Sequence, residues 1–209
     1  NVWYWLIATG HTGISHGGFT VHEPVPPLGS GFSPTSIAGL QLWLDATDVD
    51  GDGQADTLAN DSNVSVWVDK AGGDHNASQS DSLRKPVYKT NKLDGKPAIF
   101  FDASDDGMAT SLSLQWPYTV AILYNSMDTS GVHRRAIQGS SHWLIGPHSG
   151  RIGHHAGEWV SFWGAPLRQT GRFYFAVAKN DGSQSTYFVD GIDRTENSSR
   201  KGNPNTLYL

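Results

Sequence analysis

Apolar residues in this chain recur at every second position in short runs, and nowhere over a long stretch at the three-to-four spacing of an amphipathic helix. Leu40, Leu42 and Leu44 alternate with Gln41 and Trp43, the period of a strand with one face buried. Similar β-branched and aromatic runs predict strands near Trp3–Ala8, Phe19–Val21, Val64–Val68, Ala98–Asp102 and Tyr118–Tyr124. Further strands are expected at Ala136–Gln138, Arg172–Ala178, Thr186–Asp190 and Thr206–Leu209. Clusters of Gly, Asn, Asp and Ser separate the runs, and Lys179–Ser185, with Asn180-Asp181-Gly182 inside it, reads as a hairpin loop. The longest stretch free of Gly and Pro, Gln54–Ala71, is rich in Asp, Asn and Ser, which are poor helix formers. The expected class is all-β.

Between Val21 and Ile37 the pattern breaks. Four prolines and two glycines there predict a semi-rigid linker. The expected organisation is a stub over residues 1–22, a linker over 23–37 and a main domain over 38–209. In the stub, Tyr4, Leu6 and Ala8 alternate along one strand, and Gly13 and Ser15 precede Phe19–Val21. This resembles the last hairpin of a fibronectin type III-like sandwich. Residues 1–21 are therefore expected to pack as a hairpin of their own, apart from the main domain.

Composition narrows the class further. The chain has 209 residues with 24 Gly and 10 Pro, and only 17% are charged, unlike a coiled coil or helix bundle. Eight tryptophans are inconsistent with a disordered chain. A net charge of −5 argues against a nucleic-acid partner, which would want a basic stripe. No apolar run reaches the length of a membrane helix, so membrane insertion is not expected. Without cysteine there is neither a disulfide nor thiolate chemistry. The chain begins at Asn1 and is expected to be a piece of a longer precursor.

Four blocks carry a second resemblance. They are Gly39–Ala46, Trp67–Lys70 followed by Asn76-Ala77, Gly95–Asp102 followed by Asp105-Asp106, and Tyr187–Gly191. In that order they resemble the bacterial laminin-G-like domains of the concanavalin A-like lectin/glucanase superfamily. The resemblance implies a two-sheet antiparallel jelly-roll sandwich. Members of that family usually continue beyond the strand that Thr206–Leu209 resembles, so the main domain is expected to lack a C-terminal edge.

Asp48, Asp50, Asp52, Gln54 and Asp56 stand at the first, third, fifth, seventh and ninth positions of a calcium-loop pattern, with Gly53 at the sixth. Alternate side chains converge on one point while the glycine permits the sharp turn. Gln54 would contribute its carbonyl. The twelfth position is Ala59 rather than glutamate, so the pattern looks more like thrombospondin type 3 and dockerin loops than an EF-hand. Calcium is the expected cofactor, and a solvated acidic turn is the alternative.

A second constellation is His142-Trp143, His148, His154-His155, Trp159 and Trp163. Indole faces stack on sugar rings and imidazoles hydrogen-bond hydroxyls. His142, Trp143, His154, Trp159 and Trp163 are the candidate carbohydrate contacts, in a loop-rich stretch from Gln138 to Gly164 whose loops are expected to surround a shallow groove. Two other readings stand beside this one: tryptophans in the core with histidines on loops, or a zinc site. Catalysis finds less support. The Glu-x-Asp-x-Glu alternation of the superfamily's retaining glycosidases is absent, and Glu23, Glu158 and Glu196 are far apart. The expectation is a non-catalytic, calcium-stabilised glycan-binding or adhesion module, extracellular or at the cell surface. Its partners would be a polysaccharide or cell-surface glycan and other domains of the same chain. The alternatives are a structural spacer and a glycan-active enzyme.

Overall fold

The computed structural model describes residues 2–3, 5–10, 33–127 and 135–209. In chain order the first strands are β1 (Val2–Trp3), β2 (Trp5–Gly10), β3 (Leu40–Leu44), β4 (Val66–Trp67), β5 (Ala77–Ser78) and β6 (Val87–Leu93). Then come β7 (Lys96–Phe101), β8 (Ala109–Leu114), β9 (Tyr118–Asn125), β10 (Ile137–Gly139), β11 (Trp143–His148) and β12 (Arg151–Ala156). The last are β13 (Trp159–Ser161), β14 (Phe173–Asn180), β15 (Ser185–Val189), β16 (Ile192–Asp193) and β17 (Asn205–Tyr208). Among the described residues the only helical element is one 3-10 turn, Pro34–Ser36, where the Ser33 hydroxyl accepts from the Thr35 amide. The all-β expectation is met, with every strand pairing antiparallel.

Two large sheets form a sandwich. One has the order β13-β12-β11-β10-β17-β8-β5-β4 and the other β16-β15-β14-β9-β2-β3, with a small sheet β1-β7-β6 beside them. The alternation read from sequence sets which side chains meet between the sheets. Leu112, Leu114, Ile137, Ile145, Ile152 and Leu207 enter from the eight-stranded sheet, and Leu42, Leu44, Val120, Ile122, Tyr174 and Val189 from the six-stranded one. They form one continuous core. The hairpin loop at Lys179–Ser185 is also present, β14 and β15 pairing from Ala176↔Val189 to Asn180↔Ser185.

The expectation that residues 1–21 pack apart is corrected for the described ones, 2–3 and 5–10. β2 lies inside the six-stranded sheet, paired with β9 from Trp5↔Leu123 to Gly10↔Tyr118 and with β3 from Leu6↔Leu44 to Thr9↔Leu40. β1 pairs with β7. An isolated two-stranded hairpin is marginal in water, whereas a strand inserted between β3 and β9 has its backbone groups paired on both sides. The strand expected at Phe19–Val21 and residues 23–32 of the linker lie outside the described residues. At the other end of the chain, β17 is paired on both sides, by β10 and β8.

A second correction concerns Gln138–Gly164, read from its glycines as loop-rich. It holds the end of β10 and the whole of β11, β12 and β13. Ser149 and Gly150, with φ of 46° and 77°, make the tight turn between β11 and β12, both central residues left-handed as a two-residue hairpin requires.

Candidate functional site

The block Trp67–Lys70 folds as a staple beneath the acidic loop. Trp67 is fully buried and its indole N–H donates to the Asp45 carbonyl at 3.0 Å. The Asp69 carboxylate accepts from the amides of Trp43 and Ala71, both at 2.9 Å, and of His75 at 3.2 Å. The Lys70 ammonium bonds Asp48, lies 3.6 Å from Asp45 and sits over the Trp43 ring.

On this staple the predicted calcium-loop residues converge in part. Asp48, Asp50 and Asp52 each bring a ligand atom within 4.8 Å of the others. Asp48 is 3% exposed, and its Oδ1 is buried with no hydrogen-bond partner among the described residues, while Oδ2 takes the Gly53 amide and Lys70. Burial pushes the Asp48 carboxyl up, but Lys70 and the Gly53 and Gly51 amides outweigh it, leaving its pKa below the ordinary value. Asp50 and Asp52 are exposed, each accepting from the amide two residues on. Asp56 closes the loop by accepting from the Val49 amide, and the exposed Gln54 lies between. Gly53 has φ of 86° with open space where a Cβ would stand, the left-handed turn expected of the sixth position. An all-oxygen set with one buried, unsatisfied carboxylate oxygen fits a hard cation such as calcium.

The His/Trp constellation is divided by the strand period. On β11 and β12, Trp143 opposes Ala156 and Ile145 opposes His154, facing the core. Trp143 is 1% exposed and donates to the Tyr118 hydroxyl at 2.7 Å. His154 is fully buried, with Nδ1 donating to the Leu144 carbonyl at 2.8 Å and its ring against Trp143 and Tyr187. Both were expected to touch carbohydrate. Both belong to the core instead, because adjacent residues on a strand point to opposite faces.

The outward half forms a different surface. His155 opposes Trp159 across β12 and β13, and its Nδ1 donates to the His142 carbonyl at 2.7 Å. Trp159 packs edge-on to His148 and His155, with centroids 4.7 and 5.0 Å away, and stacks on Phe162 at 4.5 Å. Gly153 makes room for this indole, since a Cβ there would lie 3.2 Å from Trp159 Cζ3. Phe162 in turn meets Trp163 edge-on, and Trp163 is 76% exposed. His142, His155, Trp159, Arg135, Gln138 and Tyr208 border an open groove of about 670 Å³.

Glu196, which the sequence singled out only for its isolation, holds this surface in place. Its carboxylate accepts from three consecutive amides, Phe162 at 2.8 Å, Trp163 at 3.0 Å and Gly164. Glu196 and Asn197 also donate their own amides to the Val160 carbonyl on edge strand β13. Burial raises the Glu196 pKa, but the three amides and the nearby Arg151 prevail and hold it below the ordinary value. A sequence signal for this role is absent, as it joins residues more than thirty apart.

Comparison of the chain with protein-family models, curated proteins and solved structures finds no match. Among the described residues no helix is long and apolar enough to cross a membrane.

Proposed function

We propose that this chain is a non-catalytic glycan-binding module of a secreted or surface multidomain protein, on a laminin-G-like jelly roll with a calcium-stabilised loop. The observation that carries the reading is the aromatic run Trp159–Phe162–Trp163 beside an open groove bordered by imidazoles. A large indole exposed to water and yet fixed in place suits stacking against the apolar face of a pyranose. A spacer has no use for such a residue and would bury its tryptophans. The absence of a Glu-x-Asp-x-Glu alternation in the sequence supports binding without hydrolysis.

Titration calorimetry against a panel of polysaccharides tests this reading, with Trp159→Ala and Trp163→Ala alongside the unmodified protein. One class of sugar should bind, and each substitution should weaken it by on the order of 1 kcal/mol. Failure of every sugar to bind would leave the spacer reading. New reducing ends appearing during the titration would instead make the protein an enzyme of the same architecture.

A further inference from the structure

The groove beside Trp159 lies on the outer face of the eight-stranded sheet, and another lies on the same face. The second, of about 690 Å³, lies over the other half of the sheet and includes Ser78, Gln79, Arg84 and Asp105. Gln138 and Tyr208 border both grooves. These two residues are direct partners across β10 and β17, so the grooves meet at the middle of the sheet.

Strand register aligns the grooves. From one edge, Trp159 opposes His155, His155 opposes Leu144, and Leu144 opposes Gln138. Beyond Gln138, Tyr208 opposes Ala109 and Ala109 opposes Ser78. One row of side chains on one face therefore crosses seven strands, stepping over a register shift where β12 meets β13 and another where β17 meets β8. Six strand spacings of about 4.8 Å give it a length of about 29 Å. Each spacing is close to the advance of one pyranose along an extended glycan. The chemistry changes along the row, from the Trp159 and His155 rings at the β13 end, past the buried Leu144 and the Gln138–Tyr208 pair, to the Ala109 methyl and Ser78 hydroxyl at the β5 end. In the second groove Arg84 and Lys85 are balanced by Asp105 and Asp106, and in the first Arg135 donates to the Gln138 side chain, so the two grooves together carry little net charge, which favours an uncharged ligand.

We propose that the register row from Ser78 to Trp159 is one continuous track for a linear neutral polysaccharide laid across the strands, the aromatic half and the polar half joined at Gln138 and Tyr208. This rests on the glycan-binding reading above and adds the ligand's shape, its charge and a second half-site. A short sugar engages the aromatic half alone, and a longer one gains the contacts beyond Tyr208.

The test titrates dimers, trimers and hexamers of β-linked glucose, xylose and mannose into the 209-residue chain, with Ser78→Arg and Trp159→Ala as variants whose melting curves are recorded first. Ser78 is exposed on β5, so an arginine there obstructs the far half without entering the core. For the sugar that binds, the hexamer should bind on the order of tenfold more tightly than the trimer. Ser78→Arg should remove that gain and leave the trimer unchanged, whereas Trp159→Ala should weaken both. A hexamer that binds no tighter than the trimer, or one indifferent to Ser78→Arg, overturns the continuous track while glycan binding stands. Absence of binding at every length overturns both.

Discussion

His154 and Glu196 show how far a residue's role departs from what its type suggests. His154 is sealed between Trp143 and Tyr187, and burial pushes its pKa from 6.5 down to about 4, opposed by the Leu144 carbonyl and assisted by His155. Above pH 6.5 the ring is neutral in both the folded and the unfolded chain and stability is unaffected. As pH falls from 6.5 toward 4 the unfolded chain takes up a proton that the native protein refuses, so stability is lost across that window. The loss should reach on the order of 3 kcal/mol. Urea melts at pH 7 and pH 4.5 should show it in the unmodified protein, and His154→Leu, less stable at pH 7, should lack most of this dependence. Equal slopes in the two proteins would contradict the assignment. Glu196, bonded to edge strand β13 through its own amide, acts as a positioning residue for Trp163. Glu196→Gln replaces one accepting oxygen with a donor facing backbone N–H groups, and glycan affinity should fall. In a Trp163→Ala background the same change should have little further effect, because residues acting through one contact are not additive. Full additivity in that double-mutant cycle would assign Glu196 a general structural role only.

At the scale of elements, local chemistry decides the acidic loop. Gly51 and Gly53 both have positive φ, and a Cβ on Gly51 would come close to the Val68 side chain, so the loop's course over the staple is set by those glycines. Four carboxylates in nine residues repel one another, and Lys70 offsets only the charge nearest Asp48 and Asp45. Calcium should therefore stabilise the protein by about 2.7 kcal/mol at a hundred times its dissociation constant. Asp50→Ala, which removes an exposed carboxylate and leaves the Asp48–Lys70 pair intact, should abolish that gain. Scanning calorimetry with calcium and with chelator checks this, and four superimposable melting curves would end the calcium proposal. The strands tell a similar story about legibility. β3, β9, β14 and β15 were readable because large apolar residues alternate in them. β8 alternates just as strictly, burying Thr110, Leu112 and Leu114, but its intervening Ser residues resemble a loop. The β11–β12 hairpin hid behind its glycines, which serve here as a turn and as room for Trp159 rather than as loop flexibility.

At the scale of the whole molecule, the first ten residues matter more than their position suggests. β2 separates β3 from β9, and without it both strands present unpaired edges. A chain beginning at Ser33 should lose cooperative unfolding, detectable by circular dichroism melts. A truncated chain that melts with the transition of the full protein would restore the independent hairpin expected from the Pro-rich segment. The sequence by itself determined the all-β class, the β14–β15 hairpin and the acidic loop. Each depends on neighbours within a few residues, through side-chain alternation, turn glycines or spacing of alternate carboxylates. Only the tertiary structure decided that β2 enters the sheet, that Trp143 and His154 are core while Trp159 and Trp163 are surface, and that Glu196 fixes the exposed loop. Those outcomes depend on which strand lies alongside which and on which face meets the opposite sheet. A one-residue shift in register reverses every side chain, and local pattern leaves that choice open.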